Sequence, residues 1–190
     1  MTDLTDEKYS HFFNAWGIKG AINVPIRKDE QTLLNPTQSC HQNVAYMQMK
    51  YGGQSVLGFT FTNGFNYYTN DDDVFVEPHS VWKTPEHNYL FHNMDYVDLS
   101  LGELEQDTIL FAPVISFDAT KEFYDLYERY VFHKDFFTRR IGNSAPEKHS
   151  FDFLKDKDFT SLIFHRDKPM TEGFIWEDYL EEREYIRTNP

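Results

Sequence analysis

Residues 40–63 read CHQNVAYMQMKYGGQSVLGFTFTN, and two different structural patterns follow each other in this stretch. Its first half repeats apolar residues at helical spacing, and the pair Gly52-Gly53 supplies an abrupt helix end. Its second half, residues 55–63, is rich in β-branched and aromatic residues, which is typical of a strand. The stretch therefore predicts a helix that begins near Cys40 and is followed directly by a strand.

Two further strands are predicted downstream of this unit. Residues 74–83, VFVEPHSVWK, alternate between apolar and polar positions, and Pro78 indicates a bulge or a sheet edge. Residues 84–88, TPEHN, predict a turn, and residues 89–100, YLFHNMDYVDLS, predict another strand. The middle of the chain is thus predicted to be a helix followed by an antiparallel meander.

The N-terminal flank is predicted to begin with a helix. Residues 5–16, TDEKYSHFFNAW, combine Thr5 as an N-cap with a broad aromatic face. Residues 21–39 lack periodicity and predict a long connection, of the kind that compact domains keep for functional sites.

The C-terminal flank is predicted to be a strand followed by helices. Residues 109–117 predict a buried strand, and residues 120–137 carry an apolar stripe at helical spacing. Residues 151–165 and 176–186 are also predicted to be helical. The expected fold class is α+β in a single domain, 1–190. N-terminal helices pack on an antiparallel meander in the core, 38–100, and a largely helical extension covers 101–190.

The composition indicates a soluble intracellular protein. Aromatic residues make up 17% of the 190 residues, which is ample core material for one domain. The formal charge of −13 repels phosphate backbones and anionic lipids, so we expect neither nucleic-acid nor membrane binding. The single cysteine, Cys40, suits a reducing compartment, and no signal-like or membrane-spanning run is present. We therefore expect a cytoplasmic location.

Cys40 is the candidate nucleophile. A cysteine at a helix N-terminus lies at the positive end of the helix dipole, which lowers the pKa of the thiol and favours the thiolate. His79, on the second predicted strand, is the candidate base, and a polar side chain on the next strand could orient its ring. That next strand carries His92, Asn93 and Asp98.

This order of residues resembles the papain-like cysteine peptidase and amidase superfamily. It is more closely similar to small bacterial and phage proteins that carry a Cys-His-x-Asn-Val segment, a Gly-Gly turn and a His-x-Val-Trp strand. The matching segments are CHQNV at 40–44, GG at 52–53, VLGFTF at 56–61 and HSVW at 79–82. The resemblance covers residues 38–98 and implies a papain-like core. It also implies hydrolysis or transfer of an acyl group from an amide, ester or thioester of a peptide, protein or small molecule.

The resemblance implies a role for each matched residue. Cys40 would be the nucleophile and His79 the general base and acid. Asn93 is the preferred third member because it keeps the superfamily's chemistry. His92 and Asp98 are the alternatives, and of these residues Asp98 keeps the local motif best. Residues in supporting roles would be Gln38, as a weak candidate for binding the oxyanion, together with Asn43 and Trp82. No cofactor is expected.

Three other interpretations stay open at this point. Cys40 could be a small buried hydrophobe, and His79 an ordinary strand histidine. A metal could bind the four histidines of this region, which are His41, His79, His87 and His92. They lack the short ligand spacings of zinc sites, so no metal is expected. The chain could also be a non-enzymatic acidic protein that binds or inhibits a partner through a degenerate hydrolase scaffold. An enzyme requires a solvent-reachable Cys40 within hydrogen-bond reach of His79, whereas a binding module predicts a buried or unpaired Cys40 and an exposed aromatic patch.

Overall fold

The computed structural model describes residues 4–26, 40–63, 73–85, 95–99, 107–118, 123–125, 128–155 and 164–166. Within these ranges the chain forms two α-helices, α1 (Glu7–Trp16) and α2 (Cys40–Tyr51). The longer of the two, α2, has 12 residues, whereas a bilayer span needs about 20. No helix in the described ranges is therefore long and apolar enough to cross a membrane.

Most of the described chain is antiparallel β-sheet. The strands are β1 (Ile22–Pro25), β2 (Gln54–Asn63), β3 (Val74–Lys83), β4 (Tyr96–Val97), β5 (Thr108–Phe117), β6 (Phe123–Asp125), β7 (Glu128–Phe132), β8 (Phe137–Ile141), β9 (Glu147–His149) and β10 (Phe164–Arg166). Eight of the described strands form one sheet in the order β1-β5-β2-β3-β7-β8-β9, with β4 also paired to β3. The strands β6 and β10 pair separately.

The strand β3 has two different partners on the side that faces away from β2. It pairs with β7 at Val74–Val76 and with β4 at Trp82–Lys83. Between these two pairings, no described strand lies on that side of β3. Pro78 lies in this interval, where a residue without an N–H group does not interrupt a strand ladder on that side.

The helix α1 covers one face of the sheet with aromatic side chains. Tyr9, Phe12 and Trp16 are buried, and Phe12 meets Phe59 and Tyr130 edge-to-face at ring-centroid distances of 5.1 and 5.2 Å. Burying each such side chain contributes about 1.5–3 kcal/mol. Spacings of three and four residues put them on one side of the helix, as the sequence predicts.

The predicted α+β fold class with a largely helical C-terminal third is wrong. The helices α1 and α2 and the strands β2, β3 and β5 lie where the sequence predicts them, although Asp6 rather than Thr5 caps α1. The predicted connection at 21–39 contributes β1, and residues 27–39 of that stretch lie outside the described residues. The described chain is mainly one large antiparallel sheet, with α1 and α2 as its two helices.

The predicted helix at 120–137 is the clearest error. Residues 123–125 and 128–132 form β6 and β7, and residue 137 begins β8. In β7, the side chains of Glu128, Tyr130 and Phe132 are buried while that of Arg129 is exposed, which is the alternation of a strand. Aromatic and β-branched residues favour strands, and pairing with β3 and β8 outweighs the apolar stripe at helical spacing. Downstream, the described residues form β9, a short 3-10 helix (Phe151–Leu154) and β10, while 176–186 lies outside them.

Candidate active site

Cys40 is the first residue of α2 and is half-buried. The first N–H groups of an α-helix have no partner within the helix, and they give the N-terminus a partial positive charge. This position favours the thiolate form of the side chain.

His79 lies on β3 between Cys40 and a buried carboxylate. Its Nε2 is 2.7 Å from Oδ1 of Asp98, whose side chain is 0% exposed, and its ring is hydrogen bonded to Cys40. Because Nε2 is hydrogen bonded to Asp98, the other ring nitrogen, Nδ1, is the one that can bond the Cys40 sulfur. Cys40, His79 and Asp98 therefore form a continuous line of polar contacts from α2 across β3 to the residue after β4.

Asp98 is held in place by backbone pairing. The strand β4 pairs with the end of β3, which carries the chain to Asp98. The Asp98 N–H then donates to the carbonyl oxygen of Pro25 at 2.9 Å, and Asp98 forms a parallel bridge with Ile26. Asn43 of α2 donates through Nδ2 to the carbonyl oxygen of Leu99 at 3.1 Å. The third member of the line is thus fixed from β1, β3 and α2 together.

The pKa values of Cys40 and His79 shift in opposite directions. Burial raises the pKa of the Cys40 thiol, but the charge and hydrogen bond of His79 and a hydrogen bond from the Ser80 backbone N–H outweigh burial, so this pKa is lowered. Burial lowers the pKa of His79, but the Cys40 thiolate and Asp98 outweigh it, so this pKa is raised. Both shifts therefore favour the thiolate–imidazolium pair over the neutral thiol and imidazole.

Trp82 is a structural support for the start of β2. Its ring is fully buried, and its Nε1 donates to the carbonyl oxygen of Gly52 at 2.9 Å. Gly53 has a positive φ of 85°, and a Cβ there would lie 2.3 Å from the carbonyl oxygen of Lys83. The glycine pair and the tryptophan thus allow the end of α2 to pack closely against the end of β3.

A gap at Gly58 admits the aromatic ring that packs beside His79. Gly58 pairs with His79 across β2 and β3, and the Phe111 ring meets the His79 ring at a centroid distance of 6.3 Å. A Cβ on Gly58 would lie 2.1 Å from the Ala112 carbonyl oxygen and 2.7 Å from the Phe111 ring. The absence of a side chain at Gly58 therefore allows Phe111 to enclose His79.

We expect Gly58→Ala to lower the free energy of unfolding by about 3 kcal/mol, because the new methyl group meets a backbone oxygen that cannot move away. Urea unfolding measures the loss. The control is Gly142→Ala, where φ is 53° and nothing lies within 4 Å, so only backbone strain of about 1 kcal/mol is expected. Equal losses in the two variants would contradict the close approach at Gly58.

A second pair of side chains lies beside Cys40 and His79. Nδ1 of His41 is hydrogen bonded to Oγ of the fully buried Ser80. From the sequence alone, His41 is only a possible metal ligand, and nothing singles out Ser80. His41 follows Cys40 directly in the sequence, and Ser80 follows His79. Among the described side chains, no three of His, Cys, Asp or Glu form a group that could hold a metal ion.

The other predicted site residues fall into two groups. Asn43 and Trp82 donate hydrogen bonds to the backbone carbonyls of Leu99 and Gly52, which supports the chain around the site. Gln38, His92 and Asn93, as well as the possible metal ligand His87, lie outside the described residues. In the structure, the carboxylate of Asp98 is the group that contacts His79 on the side away from Cys40.

Comparison with known proteins adds nothing to this geometry. The chain matches no protein-family model, no curated protein and no solved structure. The assignment of the site therefore rests on its own contacts.

Proposed function

We propose that this protein is a cysteine hydrolase or acyltransferase that acts on an amide, ester or thioester through Cys40, His79 and Asp98. One observation carries the proposal: a helix-start cysteine is hydrogen bonded to a histidine whose other nitrogen lies 2.7 Å from a buried carboxylate. Nucleophile, base and orienting group in that order are the parts that covalent acyl transfer needs.

In the first half of the reaction, the Cys40 thiolate attacks the carbonyl carbon of the substrate. A carbon–sulfur bond forms, and the bond to the leaving amine, alcohol or thiol breaks. The His79 imidazolium gives its proton to that leaving group. Asp98 keeps the His79 ring in one orientation and stabilises its positive charge.

In the second half, water or another acceptor attacks the thioester carbon. His79, now neutral, takes the proton of the attacking group, and the carbon–sulfur bond breaks to return the Cys40 thiolate. Water gives a hydrolase, and an amine or alcohol gives an acyltransferase.

Two features favour an enzyme over a non-enzymatic binding protein. Cys40 is half-buried and paired with His79, rather than wholly buried or unpaired. In the described part of the chain, the exposed large apolar side chains are Ile22, Met49 and Ile141, which belong to three different elements and include no aromatic ring. An aromatic docking patch is therefore not among the described residues.

The proposal predicts that an activated acyl ester acylates Cys40. Incubation with p-nitrophenyl acetate at neutral pH should add one acetyl group to the intact protein, and peptide mapping should place it on Cys40. The matched variant Cys40→Ala should show no stoichiometric adduct. His79→Ala should acylate more slowly by about a hundredfold or more, since proton transfer by a positioned side chain contributes at least that much. Acetylation confined to lysines, or equal rates in wild type and His79→Ala, would rule the proposal out.

A further inference from the structure

The residues that follow Cys40 and His79 in the sequence contact each other. His41 comes directly after Cys40 at the start of α2, and Ser80 comes directly after His79 on β3. The His41 ring is hydrogen bonded through Nδ1 to the Ser80 hydroxyl, and the Ser80 side chain is 0% exposed. This bond links α2 to β3 independently of the contact between Cys40 and His79.

Ser80 also reaches the nucleophile itself. Its backbone N–H donates a hydrogen bond to the Cys40 sulfur and lowers the pKa of the thiol. Ser80 therefore contacts the first turn of α2 twice, through its hydroxyl to His41 and through its N–H to Cys40. Rotation or displacement of either element would weaken both bonds together.

We infer that His41 and Ser80 are a pair of positioning residues that holds the Ser80 backbone N–H on the Cys40 sulfur and so stabilises the thiolate. The inference rests on the proposed function, because it assigns these residues a role in the same site. Neither side chain needs to touch the substrate. Their effect passes through the backbone N–H of Ser80, which is a second donor to the sulfur in addition to His79.

The charge state of His41 fits this role. Burial and then the positive charge of His79 lower the pKa of His41 to about 4, so the ring is neutral near pH 7. A neutral imidazole can accept the Ser80 O–H at Nδ1, whereas a protonated ring cannot. The ionisable groups in the same cluster are Cys40 on α2, His79 on β3 and Asp98 after β4. Of the two histidines near the thiolate, His79 is therefore the one that carries a positive charge.

The test compares the pH dependence of Cys40 alkylation by iodoacetamide in the wild type, Ser80→Ala and His41→Ala. Both variants should need a higher pH to reach the same rate, and at pH 6 they should react roughly three- to tenfold more slowly, the size of one coupling between contacting residues. The double variant should lose little more than either single one, because both remove the same bond. His41→Asn, which keeps an acceptor near the position of Nδ1, should recover part of the wild-type rate.

Ser55→Ala is the matched control. Ser55 is buried on β2, and its hydroxyl donates to Oε1 of Gln48 on α2 at 2.9 Å, so it also joins the sheet to the same helix. Ser55→Ala should lose stability to a similar degree and keep the wild-type alkylation profile. If Ser80→Ala and His41→Ala do the same, the pair is merely structural and the inference is overturned.

The same profiles separate failure of the inference from failure of the proposed function. If Cys40 is reactive in the wild type and equally reactive in Ser80→Ala and His41→Ala, the positioning role is overturned and the proposed function is not. An ordinary thiol in the wild type overturns both. Should Ser80→Ala not fold, the comparison of His41→Ala with His41→Asn gives the same decision.

Discussion

Replacing His79 with alanine is expected to slow the alkylation of Cys40 at pH 6 by an order of magnitude or more. In the wild type, the charge and hydrogen bond of His79 outweigh the burial that raises the pKa of the thiol. Without His79, burial remains and the negative charge of Asp98 also disfavours the thiolate, while the Ser80 N–H is a weaker opposing influence. The pKa of the thiol therefore rises, and less thiolate is present at acidic pH. Rates with iodoacetamide across the pH range measure this change.

His133→Ala is the control for this experiment. His133 also has a carboxylate partner, since its Nδ1 lies 2.9 Å from Oδ1 of Asp73, but it belongs to the turn between β7 and β8. Its removal should leave the alkylation profile of Cys40 unchanged. A His79→Ala variant that is folded and reacts like His133→Ala would show that His79 does not activate the thiol.

Asp98→Ala is expected to lower the free energy of unfolding by about 3–5 kcal/mol, the usual cost of removing one partner from a buried ion pair. The Asp98 side chain is 0% exposed and accepts the hydrogen bond from His79 Nε2. Removing it leaves that N–H without its acceptor and withdraws a negative charge that raises the pKa of His79. Asp98→Asn should cost less than half as much, because its amide oxygen can still accept this hydrogen bond.

Urea unfolding at neutral pH measures both losses. The matched control is Asp95→Ala, which removes an exposed carboxylate from the same short segment and should change stability by no more than about 0.5 kcal/mol. A loss in Asp98→Ala as small as that in Asp95→Ala would contradict the buried pair with His79.

The positions of Cys40 and His79 in the fold could be predicted from local sequence signals. The helical spacing after Cys40 and the glycine pair at 52–53 define α2, and the alternating pattern around His79 defines β3. Both signals are local in the sequence, so they do not depend on long-range contacts. They were enough to place the candidate nucleophile at a helix start and the candidate base on a strand.

The partner of His79 could not be chosen from the sequence. The position of Asp98 depends on the two-residue pairing of β4 with β3 and on the bridge from Asp98 to Ile26. Ile26 follows β1, a strand that the sequence did not predict. The resemblance favours Asn93, which keeps the superfamily's chemistry, over Asp98, which needs a longer turn, and Asn93 lies outside the described residues.

The C-terminal error has a different physical origin. The apolar residues of 120–137 fit a helical stripe and also fit alternation, and local spacing cannot choose between them. The choice is made by β3, whose residues 74–76 pair with β7 from more than fifty positions away. The contact of Ser80 with His41 is likewise long-range, so neither residue stands out in the sequence.

A titration of the Cys40 thiolate by its ultraviolet absorbance, taken as the difference between the wild type and Cys40→Ser, tests the pairing of Cys40 with His79 most directly. We expect thiolate absorbance to appear at a pH below about 8.5, the midpoint of an ordinary cysteine. A single step at or above that value would mean that burial outweighs His79, and it would contradict the thiolate–imidazolium pair on which the proposed function depends.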